Sequence, residues 1–215
     1  MLGTLCLGYG RRAYADCAPS GSAGTYACSG STTTTQSLSP APASAPLVVT
    51  TTPGFGISTT TGDALDLSAT VAGAGLSFTD AYASTIAGAG HGINATNLGS
   101  GDLTITTTGS VSGGVLQSTS ASGILAKNYG GALTITAAGV AGTDYGISTL
   151  NKGSGALSIT TTGAGSPSLI GAAPTRFRLP TTPPRSSPIS KPISLILPAA
   201  TCSMRLATDR LAHRR

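Results

Sequence analysis

Glutamate and tryptophan are absent from this sequence, and charged residues of any kind are scarce. Only 9% of the 215 residues are charged and 4% are aromatic, whereas a typical soluble domain is about 25% charged. An ordinary helical protein is excluded, because its surface would be built from Glu, Lys, Arg and Gln. A disordered chain kept soluble by its charge is excluded too, since 40% of the residues are hydrophobic.

What remains is a β-rich chain whose polar surface consists of Thr, Ser, Asn and Gly. The net charge of +5 divides into +2 for residues 1–15, −4 for residues 16–170 and +7 for residues 171–215. Glycine follows the same boundary, with 29 of its 30 residues before position 171. The long middle region therefore offers no electrostatic attraction for nucleic acid, and we expect no nucleic-acid partner.

Residues 1–15 are similar to an atypical or truncated signal peptide. Residues 2–9 are apolar, and a small-x-small pattern predicts cleavage between Ala15 and Asp16. Two arginines follow the apolar run instead of preceding it, which suggests that the true start lies upstream of Met1. An ordinary buried segment is the alternative. No run in the sequence approaches the about 18–20 apolar residues that span a bilayer.

Cysteines follow the predicted cleavage point. Cys17 and Cys28, eleven residues apart, are a candidate disulfide in an oxidising compartment, and two free thiols are the alternative. A metal site is not expected, because the spacing does not fit one and no histidine lies nearby.

Three copies of one pattern occupy residues 92–109, 123–139 and 146–163. Each copy starts with Gly-Ile, has Asn at its sixth position, and continues through a glycine-rich turn to Leu-Thr/Ser-Ile-Thr. A shorter, degenerate copy starts at Gly56 and runs to Leu67, and residues 76–78 resemble a further strand. The shared positions are Asn97, Asn128 and Asn151, then Leu103, Leu133 and Leu157, and Ile105, Ile135 and Ile159.

The alternation of Leu and Ile with Thr or Ser predicts strands with one buried face. No single copy has enough apolar residues for its own core, but stacked copies place Leu on Leu and Ile on Ile. We therefore predict an all-β fold, a short right-handed parallel β-helix (solenoid), with a disordered N-terminal lead-in and C-terminal tail. A small antiparallel sandwich is the alternative. The longer spacing after the first copy suggests an insertion over residues 110–118.

The predicted organisation has four parts. Residues 1–15 are the signal peptide, 16–52 a Thr/Pro-rich lead-in with the candidate disulfide, 53–170 the β-helical repeats, and 171–215 a basic Pro/Arg-rich tail. The tail loses the repeat pattern abruptly, which points to out-of-frame coding. A genuine basic tail that binds anionic lipid or polysaccharide is the alternative.

With its Asp16-Cys17…Cys28 opening, its Thr-rich entry and its three repeats, the sequence resembles the passenger region of bacterial autotransporters over residues 16–170. The resemblance implies a signal peptide, a β-helical passenger and a C-terminal outer-membrane β-barrel. Nothing after residue 170 reads as a barrel. We therefore expect a truncated passenger. Its only link to the outer membrane would be the β-barrel, which we expect to be missing. The intact parent would be secreted or on the bacterial cell surface, and this chain periplasmic or not exported.

We expect no enzymatic activity, no catalytic residue and no cofactor. His91 lies in a Gly-His-Gly turn, and the closest carboxylate pair is Asp63 and Asp66. The expected function is that of a structural or adhesin-type surface protein, with a host or surface glycan or protein as partner. A β-helical carbohydrate-active enzyme is one alternative. An ice-binding solenoid is another, because Thr104, Thr134 and Ser158 with Thr106, Thr136 and Thr160 would form two outward rows.

Overall fold

A computed structural model describes residues 16–70, 72, 74–115 and 120–162, together with the backbone of two later strands. Every regular element in the described residues is a β-strand. The strands are β1 Asp16–Pro19, β2 Thr25–Ser29, β3 Ser31–Thr32, β4 Gln36–Leu38, β5 Leu47–Thr51, β6 Gly56–Ser58, β7 Leu65–Ala69, β8 Leu76–Asp80, β9 Thr85–Gly88, β10 Ile93–Asn97, β11 Leu103–Gly113, β12 Ser122–Asn128, β13 Leu133–Gly142, β14 Tyr145–Asn151, β15 Leu157–Thr161, β16 Leu169–Ala172 and β17 Ile193–Leu197.

The chain winds around three faces, and each face is a stack of parallel strands. Face 1 contains β2, β5, β8, the first half of β11, the first half of β13, and β15. Face 2 contains β3, β6, β9 and the second halves of β11 and β13. Face 3 contains β4, β7, β10, β12, β14 and β16. This arrangement confirms the predicted all-β parallel solenoid; its right-handedness stays a prediction.

The register between coils follows the sequence repeat. Leu103 pairs with Leu133 and Ile105 with Ile135, and β15 continues both columns with Leu157 and Ile159. In the preceding coil, Leu76 and Phe78 of β8 continue the same two columns. The strand predicted over residues 76–78 is therefore confirmed. Like side chains therefore stack directly on one another.

The core is the interior of this coil. The six repeat side chains are at most 4% exposed, and the residues between them point outwards and are partly exposed. The core continues through Leu47, Val49 and Phe78 on face 1 and Leu65 and Ile93 on face 3. Burial alternates along each strand because successive side chains point to opposite sides.

Residues 16–52 are not a disordered lead-in, and that prediction is wrong. They form β1 to β5, and β2 and β5 already lie in the stack of face 1. Strand β1 pairs antiparallel with β2, so the first parallel strand does not end in an open edge. The Thr- and Pro-rich composition made these strands hard to recognise in the sequence. Leu47 and Val49 nevertheless occupy the same inward columns as Leu76 and Phe78.

Two further expectations about the repeat are corrected. Residues 110–113 are not looped out; they are the second half of β11 and pair with residues 139–142 of β13 after a bulge between Thr107 and Ser110. The longer spacing arises mainly from the connection between faces 2 and 3. This connection spans residues 114–121 in one coil and only residues 143–144 in the next. In the degenerate copy, Gly56 belongs to face 2, and Leu65 aligns with Ile93 on face 3.

At the other end of the stack, β17 pairs antiparallel with β15, and β16 pairs with β14. Ile193–Leu197, inside the tail predicted to be disordered, is thus a strand. Gly171 and Ala172, the first two residues of the tail, belong to β16. The other tail residues, the predicted signal peptide and Ala15 lie outside the described residues, whereas Asp16 begins β1.

Candidate functional site

Three buried asparagines form a column at the corner after face 3. Asn97 Nδ2 donates to Asn128 Oδ1 at 2.8 Å, and Asn128 Nδ2 donates to Asn151 Oδ1 at 3.1 Å. The three side chains are 0–2% exposed. The structure thus brings together the three residues that the repeat placed at one corner.

Each asparagine also holds the glycine-rich turn that follows it. Asn97 accepts from the amide of Gly99 at 3.0 Å and donates to the carbonyl of Gly101 at 2.8 Å. The other two asparagines make the same kind of contacts with their own turns. Because the amide has both donors and acceptors, it satisfies its neighbours along the column and the backbone of its turn at once. The role of the column is structural.

A second buried polar group occupies the corner between faces 1 and 2. Asp80 is 0% exposed, and its carboxylate accepts from Ser84 Oγ at 2.7 Å and Thr51 Oγ1 at 2.8 Å. It also accepts from the amides of Tyr82, Ser84 and Gly109 at 3.1–3.3 Å. Thr51 lies one coil before Asp80 and Gly109 one coil after it, so this carboxylate ties three coils together.

Burial by itself would raise the pKa of Asp80, but hydrogen bonds from Ser84, Thr51 and the Tyr82 amide outweigh it and hold the pKa below the ordinary value. The neighbouring turn includes Ala83, a non-glycine residue with a positive φ of 52°. The amide of Ala83 donates to Thr108 Oγ1 at 3.0 Å, which fixes this turn to the next coil. Asp80 is thus a structural anchor.

The outward side of face 1 carries two rows of small β-branched or hydroxyl side chains. The sequence predicted three members for each row, but β5 and β8 extend both of them. One row is Thr50, Thr79, Thr106, Thr136 and Thr160, and the other is Val48, Ser77, Thr104, Thr134 and Ser158. Neither row includes a charged residue. The result is an uncharged surface with a repeat of about 4.8 Å along the solenoid axis.

Cys17 and Cys28 face each other across β1 and β2 and form a disulfide with an S–S distance of 2.03 Å. Both are buried, at 5% and 0% exposure, and belong to the hydrophobic core. The bond fastens the antiparallel hairpin that covers the start of face 1.

His91 and Asp63 lie at the corner between faces 2 and 3. His91 Nδ1 accepts from the Ser122 amide at 2.9 Å, and Asp63 accepts from the His91 amide at 2.7 Å and from Asn94 Nδ2 at 3.1 Å. Burial and the nearby charge of Asp63 raise the pKa of Asp66. A raised pKa suits a general acid. The neighbouring carboxylate of Asp63, however, already accepts a hydrogen bond at each of its two oxygens. The cluster reads as a corner brace.

The described part of the chain lacks metal-ligating clusters and membrane-spanning helices. It contains no group of three or more His, Cys, Asp or Glu side chains placed to hold a metal ion. Nor does any helix there have the length and apolar character needed to cross a membrane. A depression of about 480 Å³ lies on face 2 around Gly56 and is lined by hydroxyl-bearing and apolar side chains without a charge.

Sequence reasoning missed a group of exposed side chains beside the asparagine column. Tyr129 is 42% exposed and Leu98 is 41% exposed, although both are large and hydrophobic. Lys152 Nζ lies 5.4 Å from the centre of the Tyr129 ring. The signal was present: Leu98, Tyr129 and Lys152 each directly follow one of the three repeat asparagines.

The asparagine column yields a stability prediction. Asn128→Ala should lower the free energy of unfolding by about 2–4 kcal/mol, because it strips hydrogen bonds from Asn97, Asn151 and one turn and leaves buried groups unpaired. Asn128→Asp should be worse at neutral pH than in acid, since the buried carboxylate can still accept from Asn97 but carries a charge and cannot donate to Asn151 Oδ1 or to the turn carbonyls. Urea unfolding followed by circular dichroism measures both effects.

The matched control for these variants is Thr96→Ala, an outward residue of the neighbouring strand β10. It should change stability by less than about 1 kcal/mol. Equal effects of Thr96→Ala and Asn128→Ala would contradict a special role for the column.

The Asp80 corner yields a pH prediction. The lowered pKa means that Asp80 contributes stability above its unfolded value, near 3.8, and that this contribution is lost as the pH falls through the lower folded value. Asp80→Asn should destabilise the protein by about 1–3 kcal/mol at neutral pH, since the amide cannot accept all the donors. The difference from the unaltered protein should shrink in acid. Exposed Asp16, changed to Asn, is the control; a pH-independent Asp80→Asn deficit would contradict the assignment.

No family model, curated protein or solved structure matches this chain. Its own residues therefore carry the assignment, which is an all-β parallel solenoid braced by an asparagine column, a buried aspartate and a disulfide.

Proposed function

We propose that this chain is a structural or adhesive surface segment of the autotransporter-passenger type, without catalytic activity of its own. The observation that supports it most is the continuous in-register stacking of coils on three faces. Each coil adds about 4.8 Å of length and repeats the same outward positions. Such a fold makes an extended, repetitive surface out of a simple sequence.

The polar chemistry supports the same proposal. The buried polar groups Asn97, Asn128 and Asp80 are engaged in holding coils and turns together. The Cys17–Cys28 bond suits a protein that matures in an oxidising compartment, such as the bacterial periplasm or the cell surface. The partner in this proposal is a host or surface glycan or protein, met on an outward face.

The proposal predicts that the full chain, fused between a bacterial signal peptide and an autotransporter barrel, reaches the cell surface with its disulfide formed. Surface protease sensitivity measures exposure, and a thiol-alkylation mass shift measures the disulfide. Displaying cells should attach to glycan- or protein-coated plates more strongly than cells that display the barrel alone.

Two outcomes would contradict this proposal. A displayed chain that confers no attachment would remove the adhesive role. Release of reducing sugar from polysaccharides by the purified chain would favour the alternative, a carbohydrate-active β-helical enzyme. A Cys17→Ser/Cys28→Ser variant controls for the disulfide, and should reach the surface in smaller amounts.

A second candidate function, binding to ice, is favoured by one observation. The row from Thr50 to Thr160 has threonine in register on five consecutive strands of face 1, two more than the sequence predicted. A flat array of hydroxyl and methyl groups at about 4.8 Å by 6.6 Å spacing can order water in two dimensions. The uncharged character of the face favours a neutral, periodic ligand.

Ice binding predicts thermal hysteresis and ice-crystal shaping by the purified chain. Thr136→Tyr, in the middle of the row, should abolish most of this activity because a bulky ring breaks the flat array. Ser112→Tyr places the same ring on the outward side of face 2 and should leave it unchanged. Absence of hysteresis in the unaltered chain removes this second candidate.

A further inference from the structure

Six outward side chains beside the asparagine column form a regular array, here named the lysine–tyrosine patch. Register pairs stack Thr96, Lys127 and Leu150 in three successive coils of face 3. On the other side of the buried asparagines, Leu98, Tyr129 and Lys152 stack in the same three coils. The patch is thus two residues wide and three coils tall.

Hydrogen bonds between coils hold the backbone of the patch in place. Asn97, Asn128 and Asn151 lie between its two rows and are hydrogen-bonded to one another. The amide of Tyr129 donates to the Asn97 carbonyl at 3.0 Å, and that of Lys152 donates to the Asn128 carbonyl at 2.7 Å. The outward side chains therefore stand at fixed spacings of about 4.8 Å along the axis and about 6.6 Å along the strand. A ligand would meet positions that need little ordering of the backbone.

The patch concentrates the positive charge of the described chain. Residues 16–162 contain six aspartates and only two basic residues, and both of these, Lys127 and Lys152, belong to the patch. They occupy diagonal positions on either side of Tyr129 and Leu150. On face 3, Asp66 is two coils away from Lys127, and Asp102 accepts from the Ala132 amide at 2.7 Å. Locally the patch is cationic on an otherwise acidic surface.

Apolar area completes the chemistry. Of the four large hydrophobic side chains exposed in the described residues, Leu98 and Tyr129 lie here together. An exposed tyrosine supplies a rigid flat contact at low entropic cost and a hydroxyl at its rim. An aromatic ring between two ammonium groups matches a ligand with an apolar ring face and negative charge at its edge.

We propose that the lysine–tyrosine patch is a binding site for an acidic polysaccharide of the polyuronate kind. The C–H face of one sugar ring lies on Tyr129 and Leu98, and carboxylates of that ring and its neighbour meet Lys152 and Lys127. This inference rests on the proposed surface function and names the class of its ligand. A single patch binds weakly, because exposed ion pairs contribute little, and repeated charges on a polymer raise the apparent affinity.

Nucleic acid is the rival polyanion, since aromatic and basic side chains also bind single strands. Its affinity depends on neutralising many closely spaced phosphates. Two lysines on a region with a net charge of −4 provide little of that, which favours the sparser charge of a uronate polymer.

The test uses the full 215-residue chain and three probes: polygalacturonate, the same polymer fully methyl-esterified, and oligo-dT. Biolayer interferometry should show binding to polygalacturonate alone, weakening as salt rises from about 0.05 M to about 0.3 M. Lys127→Gln/Lys152→Gln should weaken binding about tenfold, and Tyr129→Ala about fivefold. Far-ultraviolet circular dichroism and urea midpoints establish that each variant is folded.

Matched controls separate the patch from the basic tail and from any exposed tyrosine. Lys191→Gln/Arg205→Gln removes the same charge from the tail, and Tyr82→Ala removes a tyrosine that is 52% exposed elsewhere. Both should bind as the unaltered chain does. Loss of binding in the tail variant with retention in the Lys127/Lys152 variant overturns the proposal, as does equal binding to the methyl ester or stronger binding to oligo-dT.

Failure of this inference and of the proposed function are distinguishable. A chain that is displayed and confers attachment but does not bind polygalacturonate would contradict only the ligand assignment. A purified chain that binds polygalacturonate but is never displayed sinks only the surface role.

Discussion

The hydrogen bonds between successive coils are the interaction on which the rest of this structure depends. Away from the two ends of the stack, a strand pairs in parallel with the strand of the same face in the coil before it and in the coil after it, so a residue's neighbours are fixed by its position in the coil. A slip by one residue would turn every inward side chain outwards. The sequence is repetitive because each column requires a residue that is compatible with its counterpart above and below.

The same closeness explains why the repeats start with Gly-Ile. A Cβ on Gly92 would lie 2.7 Å from the carbonyl oxygen of Gly123, and one on Gly123 would lie 2.8 Å from that of Gly146. Backbone atoms of neighbouring coils cannot yield without breaking the strand pairing, so only glycine fits this column. The isoleucine that follows in each copy points into the core. In each Gly-Ile dipeptide, the glycine therefore marks a tight corner and the isoleucine marks a buried position.

The parts of the fold that the sequence predicts are those written into the repeat: strands, inward Leu and Ile columns, and the asparagine corner. Residues 16–52 were missed because Thr and Pro obscure the inward alternation of Leu47 and Val49, and the bulge after Thr107 because coil length varies at corners. Asp80 could not be recognised, since its donors Thr51 and Gly109 are each 29 residues away. The residues of the lysine–tyrosine patch flank the repeat asparagines in the sequence, but the sequence does not show that Leu98 and Tyr129 are exposed.

Buried amides and a buried carboxylate both join successive coils, but they differ in whether the same residue can be repeated when further coils are added. An amide both donates and accepts, so Asn97, Asn128 and Asn151 can repeat from coil to coil, and further copies could continue the column. A carboxylate only accepts, and two of them stacked about 4.8 Å apart would repel, so Asp80 is followed in its column by Thr107. Extension therefore depends on neutral columns inside. Charge is free to vary only on the outward positions, which is where chemistry that recognises a ligand has to lie.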